Sequence, residues 1–403
     1  MFTRRFTWSL DDNALTRAAA ARRAAGLPLL DLTLSNPTRA GFAWSAETLA
    51  AAFAAAENRF YAPDPRGLLV AREAVAAYYA GHGAAVSPEQ IHLCASTSEA
   101  CAWLLKLLTD PGDTVLVPAP AYPLLQFLAE MECVKIAPYP LVLRDGRWRV
   151  DAAALDAAVT PRTRAIFCVA PNNPAGAVPD VADRDALRET ALRHGLAIIA
   201  DEVFLDFAAE TADAAAAAAA AAAVLPTWAG ETAVPLFALS GLSKVALLPQ
   251  AKLAWIVTAG PAQWRGAALE RLDFVADTYL SASAGAQNAA GALLAAAPAA
   301  RAAALRRIAA NERALRDWCA ASTHGPALLP REAGWMALIA LPKGTDEEAS
   351  ALYLAKRAGV LVHPGFFYDM PPDAGAFWVV SLLAHEADFT AAFPAFEAAL
   401  LRH

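Results

Sequence analysis

Residues 164–204 read RAIFCVAPNNPAGAVPDVADRDALRETALRHGLAIIADEVF, and this stretch decides the fold. RAIFCVA is a short apolar run closed by the turn-forming PNNP, a helical pattern begins near Val181, and AIIAD is a second apolar run that ends on a carboxylate. Strand, turn, helix and strand in succession make the repeating unit of a parallel sheet. The alternation continues in both directions. IHLCAS (91–96) precedes the helical SEACAWLLKLL, DTVLVPAP (113–120) precedes YPLLQFLAEM, and PLFALS (235–240) and KLAWIV (252–257) complete the candidate strands. The expected fold class is α/β, with a mostly parallel sheet between helices and its chemistry at the carboxyl ends of the strands.

Further out, APAARAAALRRIAANERALRDWCA (297–320) reads as one amphipathic helix with arginines on its wet side. GWMALIALP (334–342), AGVLVHPGFF (358–367) and AFWVVSLL (376–383) predict a smaller α+β domain. The expected division is a large domain over 46–300 and a small one built from 1–45 and 301–403. The alanine run Ala214–Ala223 reads as a tolerated surface insertion.

Composition narrows the function. Of 403 residues, 57% are hydrophobic and 18% charged, enough to bury a sizeable core. Thirty-three Lys and Arg against 40 Asp and Glu give a net charge of −7 with no long basic run, which argues against a nucleic-acid or anionic-membrane partner. No segment offers the ~18 consecutive strongly apolar residues of a bilayer span. The five cysteines, Cys94, Cys101, Cys133, Cys168 and Cys319, form no C-x-x-C pair, so neither a metal site nor a disulfide framework is expected. MFTRRFTWSLDDN lacks the apolar core of a secretory signal, and the expected compartment is a reducing cytoplasm.

Only six of the basic residues are lysines, so a lysine placed after a strand, Lys244 in SGLSK, stands out. An amine that sheds its proton forms a Schiff base, which a guanidinium does not do. Asp201 closes AIIAD, where a carboxylate serves either a strand-end turn or a cationic ring nitrogen. Asn173 in PNNPAG suits a tight turn and also donation to a phenolate-like oxygen. Thr97 and Ser98 in ASTSEA sit where a strand enters a helix, a place for N-capping and for a phosphate.

The order YAPDPRG (61–67), ASTSEA (95–100), PAPAYP (118–123), PNNPAG (171–176), DEVF (201–204), SGLSK (240–244), LPQAKLAW (248–255) and HPGFF (363–367) resembles the class I/II aminotransferases, pyridoxal 5′-phosphate (PLP)-dependent transferases of fold type I. Eight short motifs in one order carry a specificity that none has alone. The resemblance implies an aminotransferase that moves an amino group between an amino donor and an oxo acceptor. Lys244 would form the internal aldimine and shuttle the proton, Asp201 would face the pyridinium nitrogen, Asn173 would bond the ring O3′ and Tyr122 would stack on the ring. Thr97, Ser98, Ser243 and Lys252 would hold the phosphate, with Tyr61 reaching across a homodimer interface to the neighbouring subunit's phosphate.

Two positions depart from the family pattern. Phe204 stands where most members carry a tyrosine whose hydroxyl also bonds O3′, and its loss raises the aldimine pKa. Val379, two residues before Ser381, stands where the family places the arginine that grips the substrate α-carboxylate. Either another cation, such as Arg39 or His385, takes that task, or the substrate presents no carboxylate there. Trp335 and Phe366 are candidates for the substrate side or for plain core. The same Lys, Asp and Asn set also supports β-elimination from a cysteine-type substrate. A non-enzymatic effector-sensing domain is disfavoured by the intact Lys244.

Overall fold

The computed structural model describes residues 2–5, 8–209, 225–371 and 374–402, so the run Ala214–Ala223 lies outside the described residues. A short strand, β1 (Leu30–Asp31), precedes the eight strands of the main sheet. These are β2 (Ile91–Cys94), β3 (Thr114–Ala119), β4 (Lys135–Arg144), β5 (Arg147–Val150), β6 (Thr163–Val169), β7 (Ala197–Asp201), β8 (Leu236–Gly241) and β9 (Ala254–Ala259). Their spatial order is β2-β9-β8-β7-β6-β3-β4-β5.

Strands β4, β3, β6, β7 and β8 run parallel, as the alternation predicts. Strand β9 is antiparallel to both its neighbours, and β5 is antiparallel to β4. The β4–β5 hairpin is an addition to the sequence reading. Its turn residues Asp145 and Gly146 have φ of 50° and 73°, the left-handed pair whose twist suits a two-residue hairpin.

Why the strands read as unbroken apolar runs is visible in the packing. Ile198 and Ala200 join one core with Leu236, Ala238 and Trp255, whereas Ile199 points the other way to Phe237, Leu239 and Ile256. A sheet covered on both faces leaves no position for a polar alternation.

Beyond the main sheet come β10 (Ala327–Leu328), β11 (Met336–Ala340), β12 (Val360–Leu361), β13 (His363–Pro364) and β14 (Phe377–Ser381). Strands β10, β11, β14 and β13 form a second, antiparallel sheet in that order. Strand β1 pairs in parallel with β12, and the Ser381 amide donates to the Leu32 carbonyl at 2.6 Å, so the N-terminal segment is stitched to this smaller sheet.

The helix expected over 297–320 begins earlier and runs from Ala284 to Ala321, crossing the expected boundary at residue 300. Pro298 removes one backbone donor, but buried Leu293, Ala297, Ala304 and Ile308 clamp the helix on both sides of it. No described helix is long and apolar enough to cross a membrane.

Trp255 is fully buried in β9, and its indole N–H donates to the Tyr79 hydroxyl at 3.2 Å. Trp255→Ala is expected to lower stability by about 3–5 kcal/mol in urea unfolding, and a loss below about 1 kcal/mol would contradict the packing described.

Candidate active site

Parallel register brings the motifs together. Val169 pairs with Asp201 and Asp201 with Leu239, so the PNNP turn after β6, the carboxylate ending β7 and the SGLSK segment ending β8 emerge side by side. A second row, Cys94–Ala254–Gly241, places the start of the helix Thr97–Leu108, Lys252 and Ser243 at that same edge. Ser96 is the residue that caps this helix, accepting from the Glu99 amide at 3.1 Å, which leaves Thr97 and Ser98 in its first turn.

Lys244 sits on a single helical turn, Leu242–Val245, with its Nζ 4.6 Å from the ring centre of Trp335 and 5.7 Å from that of Phe204. Burial against these rings pulls its ammonium down to about 8, while the nearby Asp201 charge opposes the fall. Asp201 is driven the other way. Burial raises its carboxyl to about 6, against the Val203 amide, which donates to it at 3.1 Å, and the charge of Lys244. Burial thus favours the neutral, nucleophilic form of the lysine. The next residue, Glu202, turns into the core and accepts from the Thr227 hydroxyl at 2.7 Å and the Trp228 amide.

The loop after Lys244 is tightly folded. The Leu248 amide returns to the Leu242 carbonyl at 3.0 Å, and Leu247 and Lys252 both take left-handed φ, of 56° and 52°. Behind it, the Arg301 guanidinium binds the Val245 carbonyl and reaches Asp206 at 2.9 Å. Asp206 also accepts from the Tyr78 hydroxyl at 2.9 Å and lies 3.3 Å from His82. Sequence reasoning missed this buried brace, because its members are spread from residue 78 to residue 301 with no local pattern.

Around this centre the PNNP amides divide their work. Asn172 is structural, donating to the Pro120 carbonyl at 3.1 Å and accepting from the Ala175 amide at 3.0 Å. Asn173 keeps its buried Oδ1 without a partner among the described residues. Tyr122 follows β3 with half its surface exposed, its ring 6.3 Å from that of Tyr368. Trp335 is fully buried and edge-on to Phe204, whereas Phe366 is exposed on a turn and belongs to the surface. Val379 is fully buried in β14. Arg39 and His385 are both exposed, and Tyr61 stands 79% exposed on this single chain.

A doubly covered α/β sheet with a buried lysine and a carboxylate on adjoining strand ends defines the class. The profile of the family Aminotransferase class I and II matches residues 30–375, and the chain belongs to that family. Among its relatives, the glutamate-pyruvate aminotransferase AlaA of Escherichia coli is 30% identical over 265 residues, 66% of this chain and 63% of that protein. The chain thus matches just under two thirds of that relative's length. The arginine–pyruvate transaminase AruH of Pseudomonas aeruginosa is 30% identical over 312 residues, 77% of this chain and 75% of that one. An alanine aminotransferase from Pyrococcus furiosus superposes with a TM-score of 0.84 at 21% identity, covering 96% of each chain, which shows a shared fold.

The mutual influence of Lys244 and Asp201 has a sign. Asp201 holds the lysine up, so Asp201→Asn is expected to move the Lys244 titration below about 8. The pH dependence of Lys244 labelling by an amine-reactive reagent, followed on its peptide by mass spectrometry, reports this; an unchanged or raised midpoint contradicts it.

Proposed function

We propose that this protein is a PLP-dependent aminotransferase that carries an amino group from an amino donor to an oxo acceptor, both small molecules. The observation that carries the proposal is the Lys244 amine, buried against Trp335 and Phe204 just beyond β8, the strand whose Leu239 pairs with Asp201. Names of relatives support the reading, since AlaA and AruH are both called aminotransferases or transaminases of pyruvate.

The residues present fit PLP. Asn173, in the turn that follows β6 beside the Asp201 strand end, offers a side-chain amide whose N–H₂ would donate to the ring O3′. Thr97 and Ser98 in the first turn of their helix, with Ser243 and Lys252 on the adjoining strand ends, supply hydroxyls, free N–H groups and a cation for a phosphate. Tyr122 supplies a ring face, and Asp201, whose carboxyl burial has raised, is suited to a cationic ring nitrogen. When bound, PLP supplies the conjugated electron sink that stabilises charge developing at a substrate carbon.

The chain's own groups do the rest. Lys244 Nζ accepts and returns a proton, a task suited to an amine whose pKa lies near working pH. Trp335 and Phe204 wall off water from that nitrogen. Asp201 keeps its charge close by, and the Arg301–Asp206 brace holds the Lys244 turn in place through the Val245 carbonyl.

We further propose a homodimer in which the exposed Tyr61 reaches the partner's phosphate site, a large domain over 46–300 with a small one over 1–45 and 301–403, and a cytoplasmic location. The free thiols of all five cysteines support the last of these.

Purified protein given PLP is expected to show an absorption band near the visible edge that shifts on adding an amino donor. Lys244→Ala should lack that band, and borohydride should fix the cofactor's mass on the Lys244 peptide of the wild type alone. A band independent of Lys244, or none, would falsify the proposal.

A further inference from the structure

The loss of the family's arginine at Val379 leaves a corner of the site to be explained, and strand register shows what stands there. Val379 lies directly opposite Leu338 on one side and His363 on the other. Residues directly opposite in an antiparallel ladder project from the same face, so His363 is the polar side chain beside Val379. That face carries Met336 and Ser381 as well, which touch the N-terminal segment: Ser35 Oγ lies 3.6 Å from the Met336 sulfur, and Ser381 Oγ donates to the Leu34 carbonyl at 2.7 Å.

His363 is not isolated. Its Nδ1 lies 3.1 Å from the Tyr368 hydroxyl, the Tyr368 carbonyl accepts from the Ala121 amide at 2.9 Å, and the Tyr368 ring neighbours that of Tyr122. The pair thus bridges from the Val379 strand to the loop after β3, which carries Tyr122. Arg39 and His385, the cations considered from sequence, show no comparable link among the described residues: both are exposed, and the Arg39 backbone amide donates to Asn36 at 3.4 Å.

Burial holds the His363 imidazole below its ordinary range, and the charge of Asp31 opposes the fall. A neutral ring beside a tyrosine hydroxyl gives and accepts hydrogen bonds but does not neutralise a carboxylate. Resting on the functional reading above, we infer that His363, seconded by Tyr368, is the specificity-determining group of the donor site, selecting amines that carry a neutral hydrogen-bonding substituent, such as a carboxamide, over free α-amino acids.

The test is an equilibrium absorption titration of the PLP-loaded protein at neutral pH with alaninamide, alanine and ethylamine. Alaninamide should half-saturate at about tenfold lower concentration than alanine, the scale of one net hydrogen bond. His363→Leu should remove that preference and leave ethylamine unchanged, and Val379→Arg should reverse it towards alanine. A second arm uses protein without PLP. The ring-proton resonances of His363, assigned by difference from His363→Leu, should move with isobutyramide and stay still with ethylamine.

Alanine binding as tightly as alaninamide overturns the inference, as does a His363→Leu effect equal on all three ligands or imidazole resonances indifferent to the amide. A missing Lys244-dependent band overturns the functional reading instead, and the resonance arm still decides the role of His363.

Discussion

Everything in the site depends on the parallel register of β6, β7 and β8. Because Val169, Asp201 and Leu239 stand in one row, a turn, a carboxylate and a lysine-bearing segment from three distant stretches of chain leave the sheet at one point. A slip of one residue would turn Asp201 into the core and Glu202 into the site, since neighbouring residues on a strand face opposite ways. Glu202 is in fact satisfied inside by Thr227 and Trp228, which locks the register from the other face. The pair Asp201–Glu202 is thus one device: one acid anchors so that the other can be presented.

Presentation has a cost in stability. Burying Lys244 and Asp201 pushes both away from their charged forms, so each opposes folding where the unfolded chain would ionise it. For the lysine, whose folded pKa is depressed to about 8, stability rises with pH through the interval above that value. For the acid, raised to about 6, stability falls as pH climbs from the ordinary carboxyl range to that value. The doubly covered sheet offsets these losses with apolar burial on both faces. The Arg301–Asp206 pair contributes placement more than stability, because a buried ion pair gains little net energy yet is costly to break.

Much of this was legible in the sequence. The strands of the main sheet are apolar runs closed by turn residues, and Lys244, Asp201 and Asn173 each sit where a run ends, which made them candidates, while their roles came from the resemblance that the ordered motifs carry. Strand direction was not legible: KLAWIV reads like its parallel neighbours, but β9 is antiparallel on both sides, which only tertiary pairing reveals. The hairpin at Asp145–Gly146 carried a local signal, the Asp-Gly pair, that a search for strand–helix alternation passes over. His363 was within a quoted motif yet had no evident role, because its significance lies in standing opposite Val379, sixteen positions along the chain and across a strand.

The two departures from the family pattern stand in different places: Phe204 lies beside the Lys244 amine, and Val379 pairs with Leu338 and His363 in the smaller sheet. Phe204 and Val379 each put an apolar, buried side chain where a polar group is usual, and Phe204 completes an edge-on aromatic cluster with Trp335 and Phe207. The dry wall that these rings form makes the charged form of the Lys244 amine less welcome. Burial against these rings lowers the Lys244 amine to about 8, with the Asp201 charge opposing the fall. Phe204 and Trp335 are thus one apolar wall against the Lys244 amine, and hydrophobic burial rather than a polar partner sets the direction of its pKa shift.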